Sequence, residues 1–107
     1  MHTDLPSPVE LQLLALTITE RSGREVAKLY EDETRRSMSW GTLYTTLRRM
    51  AESKWVTVRD GADEDGRIRY FKITGKGATA LERAREHHRG LAGFGLARRE
   101  ADGVSGT

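Results

Sequence analysis

The sequence predicts a mainly α fold with one small β-hairpin, an α+β class, and three observations predict it. Apolar residues recur at helical spacing in three capped segments between Pro8 and Ser53. The period falls to two between Trp55 and Ile73, and helical spacing returns after Thr74. At 107 residues, 36% of them apolar and 32% charged, the chain can bury one small core and not two.

The first helix opens at Ser7-Pro8-Val9-Glu10, where a hydroxyl N-cap, a proline at the first helical position and a glutamate three residues after the cap satisfy the free amides. It is expected to run from Pro8 to about Thr19. At 100° per residue Leu11, Leu14, Ala15 and Ile18 fall on one side and Val9, Leu13 and Leu16 on the other. Two apolar faces suggest that one meets the chain's own core and one a second subunit, with burial of the whole helix inside the monomer as the alternative. Val9, Leu11, Leu13, Leu14, Leu16 and Ile18 are therefore candidates for a dimer interface.

The same cap recurs at Ser22-Gly23-Arg24-Glu25 and opens a second helix, expected to reach about Glu33 with Val26, Ala27, Leu29 and Tyr30 inward. After a polar connection, Ser39 can cap a third helix from Trp40 to about Ser53. Its buried stripe is Leu43, Leu47 and Met50, flanked by Trp40 and Ala51. The opposite side carries Thr42, Thr45, Arg49 and Glu52, flanked by Thr46 and Arg48, so its exposed surface is short hydroxyls and guanidiniums.

Trp55 to Arg59 and Arg67 to Ile73 read as the two strands of a hairpin whose tip is Asp60 to Gly66. Alternation puts Arg69, Phe71 and Ile73 on one face, with Phe71 and Ile73 inward, and Tyr70 and Lys72 on the other. Thr74 is the expected N-cap of a fourth helix, which adds Leu81 and His88 to the dimer candidates. Five of the eighteen residues from Gly90 to Thr107 are glycine. The expected organisation is a flexible end over 1–7, a folded unit over 8–74, a C-terminal helix over 75–92 and a disordered tail over 93–107.

Several chemistries are disfavoured. There is no cysteine, hence no disulfide, thiolate nucleophile or thiolate metal site. His87 and His88 are adjacent and project about 100° apart, unlike the i, i+4 pair that chelates a metal. The tip acids Asp63, Glu64 and Asp65 lack the spacing of a calcium loop. No nucleophile, base and acid arrangement can be assembled, so neither catalysis nor a cofactor is expected. The longest apolar run, Leu13 to Ile18, is too short to span a bilayer, and the N-terminus does not read as a secretory signal, so a cytoplasmic protein is expected. Formal charge is −4 over residues 1–34, +5 over 35–76 and +1 over 77–107. A basic middle segment fits a polyanionic partner.

Helix, helix, turn, helix, hairpin, helix is the order of a winged helix-turn-helix, with a three-helix core, a wing and a C-terminal helix. In that arrangement the third helix enters the major groove of double-stranded DNA and the hairpin lies beside it. Gly41-Thr42-Leu43-Tyr44-Thr45-Thr46-Leu47-Arg48-Arg49-Met50 further resembles the G-T-L-Y-P-A-L-R-R-L segment of the PadR family of bacterial transcriptional regulators. Arg67 to Thr74 resembles that family's R-R-R-Y-Y-R-L-T strand, Gly77 matches the glycine that follows, and Ser22 to Val26 is similar to its H-G-Y-E-I opening. The likeness spans about residues 9–85. Ser22, Arg24 and Thr45 depart from the pattern, and Lys54 stands where a glycine usually ends the recognition helix. The resemblance implies a DNA-binding regulator, a repressor acting as a homodimer on an inverted repeat.

On that reading Thr42, Thr45, Thr46 and Arg49 are the candidates for base edges, since Arg pairs with guanine and Thr meets several bases. Ser39, Tyr44, Arg48 and Lys54 are candidates for phosphates, and Arg67 and Arg69 for wing contacts. Trp40 and Trp55 are read as packing residues or phosphate contacts, and an effector pocket built on them is left without support. The alternative function is a winged-helix module that docks a partner protein, as an antirepressor does, through the apolar first helix.

Overall fold

A computed structural model describes residues 5–61 and 68–91. The elements are α1 (Pro8–Leu16), β1 (Arg21–Ser22), α2 (Gly23–Thr34), α3 (Trp40–Glu52), β2 (Val56–Asp60), β3 (Arg69–Ile73) and α4 (Gly75–Leu91). Both capping boxes form. The Ser7 and Ser22 hydroxyls accept the amides of Glu10 and Glu25, and each glutamate carboxylate accepts the amide of its N-cap serine at 2.8 Å. Ser39 caps α3 by accepting the Thr42 amide. Thr74 caps α4 by accepting the Gly77 amide.

Helix α1 ends three residues earlier than its apolar pattern suggested. Thr17 is fully buried, its amide and hydroxyl both donate to the Leu14 carbonyl, and its own carbonyl accepts the Ile73 amide at 2.8 Å. The β-branched run Thr17-Ile18-Thr19 thus leaves the helix toward the sheet. This also produces β1, which the sequence did not announce: Arg21 and Ser22 pair with Phe71 and Tyr70, making a three-stranded antiparallel sheet in the order β1-β3-β2. The hairpin register runs from Val56 opposite Ile73 to Asp60 opposite Arg69. Arg67 and the acids of the hairpin tip lie outside the described residues, as does the expected tail.

The core is built from Leu13, Leu14, Val26, Leu43, Leu47 and Met50, all fully buried, closed by Tyr30, Trp55, Val56, Phe71 and Leu81. Helix α1 packs against α2, α3 and α4. Most of both apolar faces is therefore used inside the chain, which favours burial within the monomer, the alternative reading, for the residues at their centres. Leu13 and Leu14 are fully buried and Leu16 and Leu81 nearly so, leaving little surface for a second subunit. Val9 and Leu11 are half-buried, while Ile18 and His88 are exposed. Leu11, Leu81 and His88 line the shallow groove between α1 and α4, with Pro8, Ala15 and Ala84. Trp40 also departs from expectation, standing 47% exposed rather than beside the buried stripe.

Gly77 is obligatory where α4 starts. A Cβ there would collide with the Trp55 carbonyl oxygen and sit 2.9 Å from Ile73 Cγ1. Close approach of α4 to the end of the α3–β2 turn is what the missing side chain permits. That turn is itself bound to α4: the Thr74 hydroxyl donates to the Lys54 carbonyl and the Thr74 amide to that of Trp55. Among the described residues no helix is long and apolar enough to cross a membrane.

Candidate nucleic-acid interface

Helix α3 separates its two sides as amphipathic spacing requires. Leu43, Leu47 and Met50 are fully buried, while Thr42, Thr45, Arg48 and Arg49 are exposed on the other side. The hydroxyls are not equivalent. Ser39 Oγ donates to Thr42 Oγ1 at 3.0 Å, and Thr46 is half-buried with its hydroxyl donating to the Thr42 carbonyl at 2.8 Å. Ser39 and Thr46 therefore serve the helix itself, leaving Thr42 and Thr45 as its outward hydroxyls.

Arg49 lies between Thr42 and Thr45 in helical projection, with Nη1 3.9 Å from Glu10 Oε2. Glu10 uses its other oxygen in the capping box of α1, so one buried carboxylate faces both elements. The Arg49 side chain is 65% exposed, and the contact is too long for a hydrogen bond. Its donors stay available. Arg48 is exposed and flanks this face. Lys54 follows in the turn after α3 with φ 67°, the left-handed conformation implied by its place at a customary glycine position.

Tyr44 is drawn inward. Its ring stacks on Trp40 at 5.5 Å between centroids and tilts against Phe71 at 6.3 Å. Its hydroxyl lies where a Cβ on Gly23 would come within 2.6 Å. Tyr44 thus ties α3 to the start of α2 and to β3. The same aromatic pair walls a cleft of about 560 Å³, open between α2, α3 and the wing and flanked by Arg24, Ile68 and Arg69. Arg69 Nε lies 3.6 Å from Asp60 across the hairpin, an exposed pair that fixes little.

The structure brings Thr42, Thr45, Arg48 and Arg49 onto one face, with the α3 start leading to the cleft that Arg69 borders. The dimer candidates lie apart, along α1 and α4. Arg24 and Trp40 are both exposed at the cleft, and sequence reasoning had given Arg24 no site role. Arg24 is the second residue after the α2 N-cap, a position the capping box already located. For Trp40 the sequence left packing and a phosphate contact open, and its 47% exposure sets it at the margin of the stripe.

Residues 11–83 match the transcriptional regulator PadR-like family. No curated protein matches the chain in sequence. Among solved structures, RosR from H. salinarum is 18% identical with a TM-score of 0.74, over 95% of this chain and 96% of that one. A PadR family transcriptional regulator from Eggerthella lenta is 18% identical with a TM-score of 0.70, over 89% of this chain and 76% of that one. A PadR-like transcription factor from Bacteroides fragilis is 24% identical with a TM-score of 0.70, over 78% and 82%. These likenesses carry the fold, and the match over residues 11–83 carries the family. A winged helix with an outward Thr/Arg helix, matched in sequence from α1 into α4, makes the chain a member of the transcriptional regulator PadR-like family, a family of regulators rather than enzymes.

Proposed function

We propose that the protein is a sequence-specific DNA-binding repressor that acts in the cytoplasm as a homodimer on an inverted repeat. The observation that supports this reading is the division of α3, with Leu43, Leu47 and Met50 anchored in the core and Thr42, Thr45, Arg48 and Arg49 turned outward. Arg49 and Thr42 read base edges, helped by Thr45. Arg48 and Lys54 hold phosphates, and Arg24 and Arg69 at the cleft add backbone contacts beside Trp40. Tyr44, Ser39 and Thr46 act by holding the helix in place. The groove between α1 and α4, with Leu11 and His88, is the surface for the second copy. Two-fold symmetry then sets the recognition helices about 34–36 Å apart on one side of the duplex.

The test is selection of bound sequences from a random duplex pool, followed by Arg49→Ala and Arg48→Ala on the selected site. Arg49→Ala is expected to weaken binding by about 1–3 kcal/mol and relax preference at one base position. Arg48→Ala is expected to weaken all sequences alike and reduce the salt slope by about one. No enrichment, together with no salt-sensitive retention on bulk DNA, would instead favour a protein-docking module.

A further inference from the structure

On the outer face of the sheet, away from the core, one side chain spans the strands. Arg59 on β2 reaches across to Glu20, the residue just before β1, and binds it in two places: Nη2 to Oε1 at 2.8 Å and Nε to Oε2 at 3.1 Å. On the way its guanidinium lies over the Tyr70 ring of β3, 4.7 Å from the centroid. The pair is mutually reinforcing. The guanidinium hydrogen bonds, with Lys72 adding its charge, hold the Glu20 carboxyl below its ordinary range, and Glu20 in turn raises Arg59. Lys72 secures the same corner by donating to the Ile18 carbonyl at 3.2 Å.

The position of this contact gives it meaning. Strand β1 pairs only with Tyr70 and Phe71, so the rung formed by Ser22, Tyr70 and Arg59 is the outermost one three strands wide. Beyond it the hairpin continues as two strands, through Asp60 opposite Arg69 and the Gly61 amide donating to the Ile68 carbonyl. A two-stranded ribbon is marginal by itself in water. Its direction relative to α3 is therefore set at its root, where the strap crosses.

We propose that Arg59, through Glu20 and Tyr70, is a positioning residue that fixes the angle of the wing against the recognition helix and so places Arg69 for DNA. The planar guanidinium suits this work, because it can bind a carboxylate bidentately and lie flat on an aromatic ring at once, which a lysine cannot. The proposal rests on the DNA-binding reading for its consequence and on the free protein alone for its mechanism.

The experiment has two readouts on the full chain. Amide hydrogen exchange at Gly61 and Tyr70, whose amides face the partner strand of the hairpin, is compared without DNA in wild type, Arg59→Ala, Glu20→Gln, Arg59→Lys and the exchanged pair Glu20→Arg/Arg59→Glu. Binding of each to a duplex selected by the wild-type protein is measured in parallel. Arg59→Ala and Glu20→Gln are expected to speed exchange at these wing amides several-fold, leaving core amides such as Leu47 unchanged, and to weaken DNA binding about three- to tenfold. Arg59→Lys should recover little. The exchanged pair should recover wing protection and most of the affinity. The proposal is overturned if wing exchange is unaltered in both single variants. It is also overturned if Glu20→Gln tightens DNA binding while Arg59→Ala weakens it, which would make Arg59 a direct phosphate contact. If even the wild type binds no DNA, the functional reading fails, and the exchange data still decide whether the strap exists.

Discussion

Lys54 and Arg35 are the two non-glycine residues with positive φ among those described, at 67° and 60°. Each closes a helix end in the left-handed region, where a Cβ meets the following carbonyl at a cost of roughly 1–2 kcal/mol. Lys54→Gly is thus expected to raise stability by up to about 1 kcal/mol, read as a shift in the urea midpoint, part of the strain relief being lost to the greater freedom of glycine in the unfolded chain. The same variant should weaken DNA binding, separating stability from function at one position. Gly77 presents the opposite case. Gly77→Ala must push α4 off the Trp55 carbonyl, with an expected loss of about 2–3 kcal/mol in the same measurement. Glu20 adds a pH dependence. Its carboxyl is held below the ordinary 4.5, so its contribution is complete at neutral pH and disappears as pH falls from that value through the lowered one. A carbon-detected titration should place the Glu20 midpoint below that of ordinary glutamates, and Arg59→Ala should return it toward 4.5.

At the scale of elements, α2, α3 and the start of α4 could be read directly, because each begins at a side-chain cap whose chemistry is local. The ends were less legible where the decision was tertiary. Thr17 leaves α1 because its carbonyl meets the Ile73 amide, a partner far along the chain, and β1 exists only because β3 offers an open edge. The outward side of α3 was legible as a set of residues, and its internal bonds were not: Thr46 and Thr42 look alike in a helical projection, yet one hydroxyl is spent on the backbone. Trp40 shows the same limit. Its angle placed it at the margin of the stripe, and the core is not wide enough there to cover it. Trp40→Ala is expected to leave the thermal midpoint nearly unchanged compared with Leu47→Ala, which removes a fully buried side chain and should cost about 2–5 kcal/mol.

For the whole molecule the main correction concerns assembly. Six residues of α1 looked like a surplus of apolar surface, and the monomer consumes most of it by wrapping α2, α3 and α4 around that helix. What remains for a second copy is the narrow strip near Leu11, Ala84 and His88. Leu11→Asp is expected to turn a dimeric mass in light scattering into a monomeric one without unfolding the chain, whereas Leu14→Asp should unfold it. A monomer in the wild type at micromolar concentration would remove this strip from consideration.

Because α1 is apolar on nearly every side and depends on Leu81 of α4 to close it, this helix is synthesised before every element that covers it and is completed only by the last of them. Until α4 has been made the nascent chain carries this sticky rod uncovered, and chaperone binding to it should fall sharply once translation has passed α4.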